Sequence, residues 1–302
     1  MPLTEILRRG RARLMENRAL TTMGVVGISL GIFCLAVMAV RGGAPIPPEG
    51  DLQKPATFDI AVGIYLLTLA LLLPSAGFSE RGRKRWVAWN VGLFAYAFGI
   101  ENIQIFRGLD PRFSRVAGPL DQILGLVFFI AALGTLVLFV TMAVKFFRRG
   151  RADRDSLVLL AIKYGIVAAL GAFGAGIWMS LIRGRVTGES GNILPLHALG
   201  FHGLQAVPLV ALFLVWAGAD QRETRTWVHV TGIAWLTACA AVAVQTIAGR
   251  SVLDVSPAML VTGFVLVVWS GIALVVSWRW ARVPTLRGSP DISRTPTGSK
   301  RA

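Results

Sequence analysis

Polar side chains collect near the ends of several long apolar segments of this sequence. They are the acids Glu101 and Asp121, the amides Gln104, Gln122, Gln205 and Gln245, the cation Arg107, and the histidines His197 and His202. Ionisable groups inside membrane spans are energetically costly, and where they occur they commonly serve a function. A carboxylate can hold a proton or a cation, and imidazole titrates near neutral pH and binds metals. We therefore take Glu101 and His202 as the candidate catalytic residues.

Glu101 has a definite predicted depth. It follows Trp86 by 15 residues, which is about 22 Å along a helix and within the outer third of a membrane span. Gln104 shares its helical face three positions later, and Arg107 follows closely. The candidates for binding a cofactor are Gln104, Arg107, His197, His202 and Gln205.

The two histidines are separated by five positions, or about 140° around a regular helix. A regular helix would therefore not direct His197 and His202 at one metal ion. Pro195, Gly200 and Gly203 would allow a broken helix that does.

Three kinds of cofactor are compatible with these residues. His197 or His202 could supply one axial ligand of a haem, with Met179 or another residue as the second. His197 and His202 could instead hold a metal ion with Glu101, or bind a quinone headgroup. The sequence leaves haem, metal ion and quinone open.

A purely structural interpretation exists for several of these residues. Asp121 and Gln122 suit the first turn of a helix, where the dipole favours acids. Arg107 and Asp110 could form a salt bridge within a loop. Arg-Gly also recurs at Arg41, Arg107 and Arg183, either as a vestige of duplication or as ordinary helix termini.

Two segments resemble a known family. IENIQIFRGLDPRF (Ile100–Phe113) contains E-x2-Q-x2-R-G-x2-P-R-F, and HALGFHGLQAVP (His197–Pro208) contains H-x4-H-x2-Q-x2-P. In these motifs the chain resembles a family of uncharacterised bacterial polytopic membrane proteins. The resemblance implies a membrane protein without implying an activity, and it covers the two motifs and the third to sixth predicted helices.

The elements that must position these residues are membrane helices. The chain has 302 residues, of which 54% are hydrophobic and 16% charged, with a mean hydropathy of +0.63. Apolar runs of the length needed to cross a bilayer lie at 20–40, 58–78, 86–106, 118–147, 157–182, 198–218, 227–248 and 257–279. The sequence predicts an all-α bundle of about eight helices at 20–280, a basic amphipathic tail at 1–19 and a disordered tail at 281–302.

The distribution of basic residues predicts the orientation of the bundle. Of the 31 Lys and Arg residues, 22 fall in the N-terminal tail, the C-terminal tail and alternate loops, and eight in the opposite loops. The positive-inside rule places both termini in the cytoplasm. The net charge of +15 therefore indicates contact with anionic lipid headgroups, and we predict no nucleic-acid partner. An excess of Arg over Lys suggests a bacterial inner-membrane protein.

The sequence favours a redox-type membrane protein with its polar and histidine site on the extracytoplasmic side, and it leaves two alternatives open. A redox-type protein would use the histidines to bind haem, a metal ion or a quinone. A transporter or sensor would use the polar residues as an outward-facing pocket. A structural subunit of a membrane complex, or a homo-oligomer, would need neither, and the sequence does not decide whether the protein is an enzyme.

Overall fold

The computed structural model describes residues 1–148 and 156–282, and within these ranges the chain forms nine helices and two short β-hairpins. The helices are α1 (Leu3–Glu16), α2 (Arg18–Arg41), α3 (Gln53–Ala76), α4 (Glu80–Phe106), α5 (Pro119–Arg148), α6 (Ser156–Leu181), α7 (Leu194–Ala217), α8 (Gln221–Ile247) and α9 (Pro257–Ala281). The antiparallel hairpins pair β1 (Pro45–Ile46) with β2 (Gly50–Asp51), and β3 (Val186–Thr187) with β4 (Gly191–Asn192). Most of the predicted disordered tail, from residue 283 onward, lies outside the described residues.

Seven helices in the described ranges, α2, α3 and α5 to α9, are long and apolar enough to cross a membrane. The chain is therefore an all-α polytopic membrane protein, which confirms the predicted fold class. The remaining long helix, α4, has 27 residues, as many as α8, but its first turns carry a run of charged residues. The eighth span and the cytoplasmic position of both termini stay predictions.

The helices begin earlier than the apolar runs indicate. α3, α4, α7 and α8 each start four to six residues before the predicted segment, and in α3, α4 and α8 a polar first turn extends the helix beyond its apolar part. Two of these starts are capped in the same way. The Ser79 side chain accepts a hydrogen bond from the Gly82 amide before α4, and Asp220 accepts one from the Glu223 amide before α8.

The long helices form two halves with the same order of elements. The first half is α2, β1–β2, α3, α4 and α5, and the second is α6, β3–β4, α7, α8 and α9. Pro45 and Val186, Gln53 and Leu194, and Glu80 and Gln221 begin corresponding elements, and the separation along the sequence is identical for all three pairs. This constant offset indicates an internal duplication, and the repeated unit is four helices with a hairpin.

Corresponding helices also make corresponding close contacts. A Cβ added to Gly24 of α2 would lie 2.9 Å from the carbonyl oxygen of Gly63 in α3. By the same offset Gly24 corresponds to Gly165 of α6, where an added Cβ would lie 2.6 Å from the carbonyl oxygen of Gly203 in α7. Small residues at these positions let the first two helices of each half pack backbone to backbone.

The two halves meet through aromatic rings between α3, α5, α6 and α7. The ring centroids of Tyr65 and Phe201 are 5.5 Å apart, and those of Phe139 and Phe173 are 5.2 Å apart. Deeper in the bundle the amide of Gln205 lies 2.8 Å from the hydroxyl oxygen of Thr68. Both hairpins lie at the end of the bundle where α3 and α7 begin, here called the hairpin end.

Helix α1 lies across the opposite end of the bundle. The Arg13 side chain donates a hydrogen bond to the carbonyl of Leu71 in α3. The amino group of Met1 donates one to the carbonyl of Trp216 in α7. Since α3 and α7 belong to different halves, α1 bridges the two.

Candidate functional site

Glu101 is completely buried in the last turns of α4, where it pairs with an arginine of the following loop. The Arg112 Nη2 donates a hydrogen bond of 2.6 Å to Oε1 of Glu101. The Arg112 side chain is 30% exposed, so it reaches inward from the surface. A buried carboxylate requires a cation or a proton, and Arg112 provides the cation.

Asp59 of α3 is a second completely buried acid at this end. Its Oδ2 accepts a hydrogen bond of 2.8 Å from the Nδ2 of Asn102. The Oδ1 of Asn102 in turn accepts a bond of 3.3 Å from the thiol of Cys34 in α2. Glu101 and Asn102 are consecutive residues of α4, and they bind Arg112 and Asp59 respectively. These residues therefore form one cluster across three helices and a loop, and we call Asp59, Glu101, Asn102 and Arg112 the carboxylate site.

The carboxylate site is not saturated with hydrogen bonds. Within the described residues, Oδ1 of Asp59 and Oε2 of Glu101 have no hydrogen-bond partner. Buried polar atoms in proteins are nearly always paired, so each exception calls for an explanation. Two free acceptors on neighbouring buried acids leave the site able to receive further donors.

Two aromatic rings complete the surroundings of the Arg112 guanidinium. Its carbon Cζ lies 5.4 Å from the ring centroid of Phe58 in α3 and 5.7 Å from that of Phe128 in α5. Cation–π attraction operates within about 6 Å of a ring centroid. The guanidinium is therefore held by a carboxylate and two ring faces, all supplied by helices.

The α4–α5 loop, residues 107–118, is folded by Asp110. Lys54 forms an ion pair of 2.6 Å with its Oδ2, and the amides of Arg112 and Phe113 donate to its Oδ1. Burial raises the pKa of Asp110, but these hydrogen bonds together hold it below its ordinary value. Asp110 thereby fixes the backbone from which Arg112 extends.

The first hairpin fastens the far part of the same loop. The Glu49 carboxylate accepts hydrogen bonds from the Ser114 hydroxyl and from the Arg115 amide. The hydroxyl of Ser114 holds the pKa of Glu49 below its ordinary value. The Glu49 amide donates to the carbonyl of Gly108 at the start of the loop. Two carboxylates outside the membrane helices thus anchor the loop that carries Arg112.

Comparison of the two halves shows that the fold does not require Asp59, Glu101 and Asn102 of the carboxylate site. At the positions related by the constant offset, the second half has Gly200 for Asp59, Val242 for Glu101 and Ala243 for Asn102. The second half forms the same helices without any of the three. The repeated framework therefore forms without the acids and the amide of the carboxylate site.

Gln104 behaves in the opposite way. It is buried, its Nε2 donates to Asp121, and its Oε1 accepts from Arg107. Its counterpart Gln245 is equally buried and binds the loop between α8 and α9 through Ser256 and Ser251. Both glutamines hold the connection between the last two helices of their half, so we interpret Gln104 as structural.

The alternative pairing of Arg107 with Asp110 is wrong. Arg107 Nη1 lies 2.6 Å from Asp121 Oδ1, joining α4 to α5, while Asp110 pairs with Lys54. The other early residue of α5, Gln122, is exposed and donates to a loop carbonyl.

The two histidines lie in different surroundings. α7 is an unbroken α-helix from Leu194 to Ala217, so the broken segment that could have joined them is not formed. The Nδ1 of His197 lies 2.8 Å from the carbonyl of Ala172, and its ring packs edge-on against Phe201. His202 is exposed on another face. In the described ranges, no group of three or more His, Cys, Asp and Glu residues could hold a metal ion.

Sequence reasoning selected Glu101 but missed Asp59, Asn102, Cys34 and Arg112 as its neighbours. One signal was present, because Asp59 interrupts an apolar run of α3. Arg112 gave no such signal, since a basic residue in a loop is ordinary.

Comparison with family models, with characterised proteins and with solved structures finds no match.

Proposed function

We propose that the protein is a bacterial inner-membrane transporter of eight spans, in which the carboxylate site receives a proton or a cationic solute from the extracytoplasmic side. α4 is the eighth span, because it has the length of its counterpart α8. Two four-helix halves then have the same orientation, as in the parallel repeats of several secondary transporters. The excess of Lys and Arg in the two tails and the loops on their side supports cytoplasmic termini.

One observation carries this proposal. Asp59 and Glu101 are completely buried, each retains an oxygen without a partner among the described residues, and the second half forms its corresponding helices with Gly200 and Val242 instead. Buried charge that a fold does not need is costly and is commonly kept for function. Arg112 belongs to a loop and not to a membrane helix. Its guanidinium can therefore move away from Glu101 when another cation or a proton neutralises that carboxylate.

Transport is tested with purified protein in lipid vesicles. The vesicles are given a defined mixture of amino acids, polyamines, guanidino compounds, sugars and alkali cations, under an imposed proton gradient. Their contents are measured by mass spectrometry and their internal pH with a trapped dye. We expect one or more solutes to accumulate above the level of empty vesicles, and Asp59→Asn and Glu101→Gln to abolish this accumulation.

The matched control is Glu189→Gln, which removes an exposed carboxylate from the hairpin end of the second half. This variant should transport like the unaltered protein. Vesicles that accumulate no solute and no protons would refute transport. Accumulation that is unchanged in Asp59→Asn and Glu101→Gln would refute the role of the carboxylate site and would favour a purely structural function for these residues.

A redox-type function is the second candidate, and the orientation of His197 favours it. Because a carbonyl oxygen only accepts hydrogen bonds, the contact with Ala172 places the proton on Nδ1 and leaves Nε2 free to bind a haem, a metal ion or a quinone. His202 would then serve a separate purpose. An absorption spectrum with metal and quinone analysis of purified protein, before and after His197→Ala, tests this. A colourless, metal-free and quinone-free protein would exclude it.

We further propose that α1 binds anionic lipid headgroups. Arg11 is exposed on α1, as are the apolar side chains of Leu3 and Leu7 on the same helix, a combination that suits the membrane interface. Flotation with vesicles would test this for a peptide of residues 1–19. Equal binding to neutral and anionic vesicles would contradict it.

A further inference from the structure

The guanidinium of Arg112 occupies a place that is built by other parts of the chain. Its neighbours are Glu101 of α4, Phe58 of α3 and Phe128 of α5, whereas Arg112 itself belongs to the α4–α5 loop. A carboxylate together with two ring faces is the chemistry by which proteins recognise planar organic cations. We call this surrounding the guanidinium seat.

The seat offers more acceptors than Arg112 uses. Arg112 reaches Oε1 of Glu101 through one nitrogen, and Oε2 of Glu101 has no partner among the described residues. A guanidinium carries five N–H donors in a planar fork that can bind both oxygens of a carboxylate. The Oδ1 of Asp59 on the neighbouring helix α3 also has no partner among the described residues. A small guanidinium without a tether can therefore satisfy oxygens that Arg112 leaves open.

The loop that supplies Arg112 is attached by polar contacts at the surface. Lys54 and Asp110, and Glu49 and Ser114, form its main side-chain attachments. The corresponding loop of the second half, residues 248–256, places no cation against a buried acid of the described chain. The seat and its occupant are thus a feature of the first half alone.

We propose that the carboxylate site binds a small guanidinium-class cation, and that Arg112 is a built-in occupant which this ligand displaces. The inference rests on the proposed function, because it takes the carboxylate site as the ligand site, and it names the ligand class. Planarity and the two ring faces favour guanidinium over an alkali cation, which is strongly hydrated. Arg112 carries one positive charge, so a monovalent cation can replace it without changing the charge of the site.

Calorimetric titration of the purified protein tests this, with guanidinium chloride at millimolar concentrations as the probe. Tetramethylammonium chloride at equal ionic strength is the control, since it is a cation without N–H donors. We expect saturable binding of guanidinium, weaker binding of tetramethylammonium, which can contact the rings but cannot donate hydrogen bonds to Glu101, and loss of guanidinium binding in Glu101→Gln. Absence of saturable binding by the unaltered protein, or equal binding of both cations, would overturn the proposal.

Removal of the occupant gives a sharper test. If the seat of the unaltered protein is free about a tenth of the time, Arg112→Ala should bind guanidinium about tenfold more tightly. Arg115→Ala is the matched control, because Arg115 is exposed in the same loop and contacts Glu49 only through its backbone amide. Equal affinities in the unaltered protein and Arg112→Ala would show that Arg112 does not occupy the ligand site. If Arg112→Ala does not fold, the titration of the unaltered protein with both cations still decides.

The outcomes separate this inference from the proposed function. Uptake of another solute that requires Asp59 and Glu101, without guanidinium binding, would refute the ligand class and leave transport standing. Guanidinium binding that requires Glu101, in a protein that accumulates nothing in vesicles, would refute transport and leave the ligand class standing.

Discussion

Glu101 and Gln104 lie three residues apart on α4, and both are buried, yet the two side chains serve different purposes. Gln104 has a counterpart in Gln245, and both glutamines bind the connection that follows their helix. Glu101 corresponds to Val242 and binds a cation. Comparison of the two halves thus distinguishes the two residues. Gln104 recurs in the second half and belongs to the repeated framework, whereas Glu101 does not recur.

Gln245→Ala should therefore destabilise the protein. The substitution removes one hydrogen bond from the Ser256 hydroxyl and one from the Ser251 carbonyl, which we expect to lower the free energy of unfolding by about 1–3 kcal/mol. Unfolding in mixed detergent micelles would measure the change. Gln122→Ala is the control, because that glutamine is exposed, and an equal loss in both variants would contradict the structural role.

Glu101→Val should not destabilise the protein in the same way. The substitution introduces the residue of the second half, and replacement of a buried charge by an apolar side chain is commonly neutral or stabilising. Arg112 is 30% exposed and can turn toward solvent. We expect an unchanged or higher unfolding temperature together with complete loss of solute uptake. A large fall in unfolding temperature would show that Glu101 is needed for folding.

At the scale of elements, glycine determines how the connections between helices fit against the hairpins. Gly108 follows α4 with φ of +80°, and Gly249 follows α8 with φ of +69°. A Cβ on Gly108 would lie 2.1 Å from the Pro47 carbonyl oxygen in the first hairpin, and one on Gly249 would lie 2.7 Å from the Cα of Gly188 in the second. Both the backbone angle and the contact require glycine.

Gly108→Ala should cost about 2 kcal/mol or more of stability, since it adds a clash to a left-handed backbone position. Gly99→Ala is a matched control inside α4, where an added Cβ meets nothing within 4 Å. That variant should be stabilised by about 0.5–1 kcal/mol through helix propensity. Thermal unfolding would measure the stability of both variants. Equal changes in stability would contradict the close contact between Gly108 and the first hairpin.

The α4–α5 loop should loosen in acid. The pKa values of Asp110 and Glu49 lie below their ordinary values, so their contribution to stability is present above those ordinary values and is lost as the pH falls through the lowered ones. Amide hydrogen exchange at Arg112, Phe113 and Arg115, corrected for the intrinsic pH dependence, would measure this. We expect protection at pH 6 and its loss below about pH 4.

Asp110→Ala should remove the protection of the Arg112 and Phe113 amides even at pH 6, because it deletes their acceptor. Asp254→Ala removes a similar contact to the Ser251 amide in the second half, and it should leave the α4–α5 loop protected. Protection that persists in Asp110→Ala would show that the side chain does not hold the loop.

At the scale of the whole molecule, the two ends of the bundle differ. The charged side chains that attach the α4–α5 loop lie at the hairpin end, and α1 lies across the other end. Predicted cytoplasmic termini would make the hairpin end extracytoplasmic. The carboxylate site would then lie one to two helical turns below that surface, because Glu101 is five residues from the end of α4 and Asp59 is six from the start of α3.

This orientation can be tested with single cysteines in intact cells. Glu189→Cys at the hairpin end and Arg222→Cys at the other end are both at exposed positions. A membrane-impermeant maleimide added outside should label Glu189→Cys alone, and Arg222→Cys only after the cells are opened. The reverse pattern would place the carboxylate site on the cytoplasmic side.

The sequence by itself determined that this is an all-α membrane protein, and it selected Glu101, because hydropathy and the cost of buried charge are local properties of a segment. Only the tertiary structure decided that Glu101 meets Arg112 and neighbours Asp59, and that Gln104 has a counterpart in Gln245. Each residue turns a helix by about 100°, so small shifts in a helix decide which side chains face each other. Contacts between segments therefore depend on how the helices and the α4–α5 loop pack, which no single segment specifies.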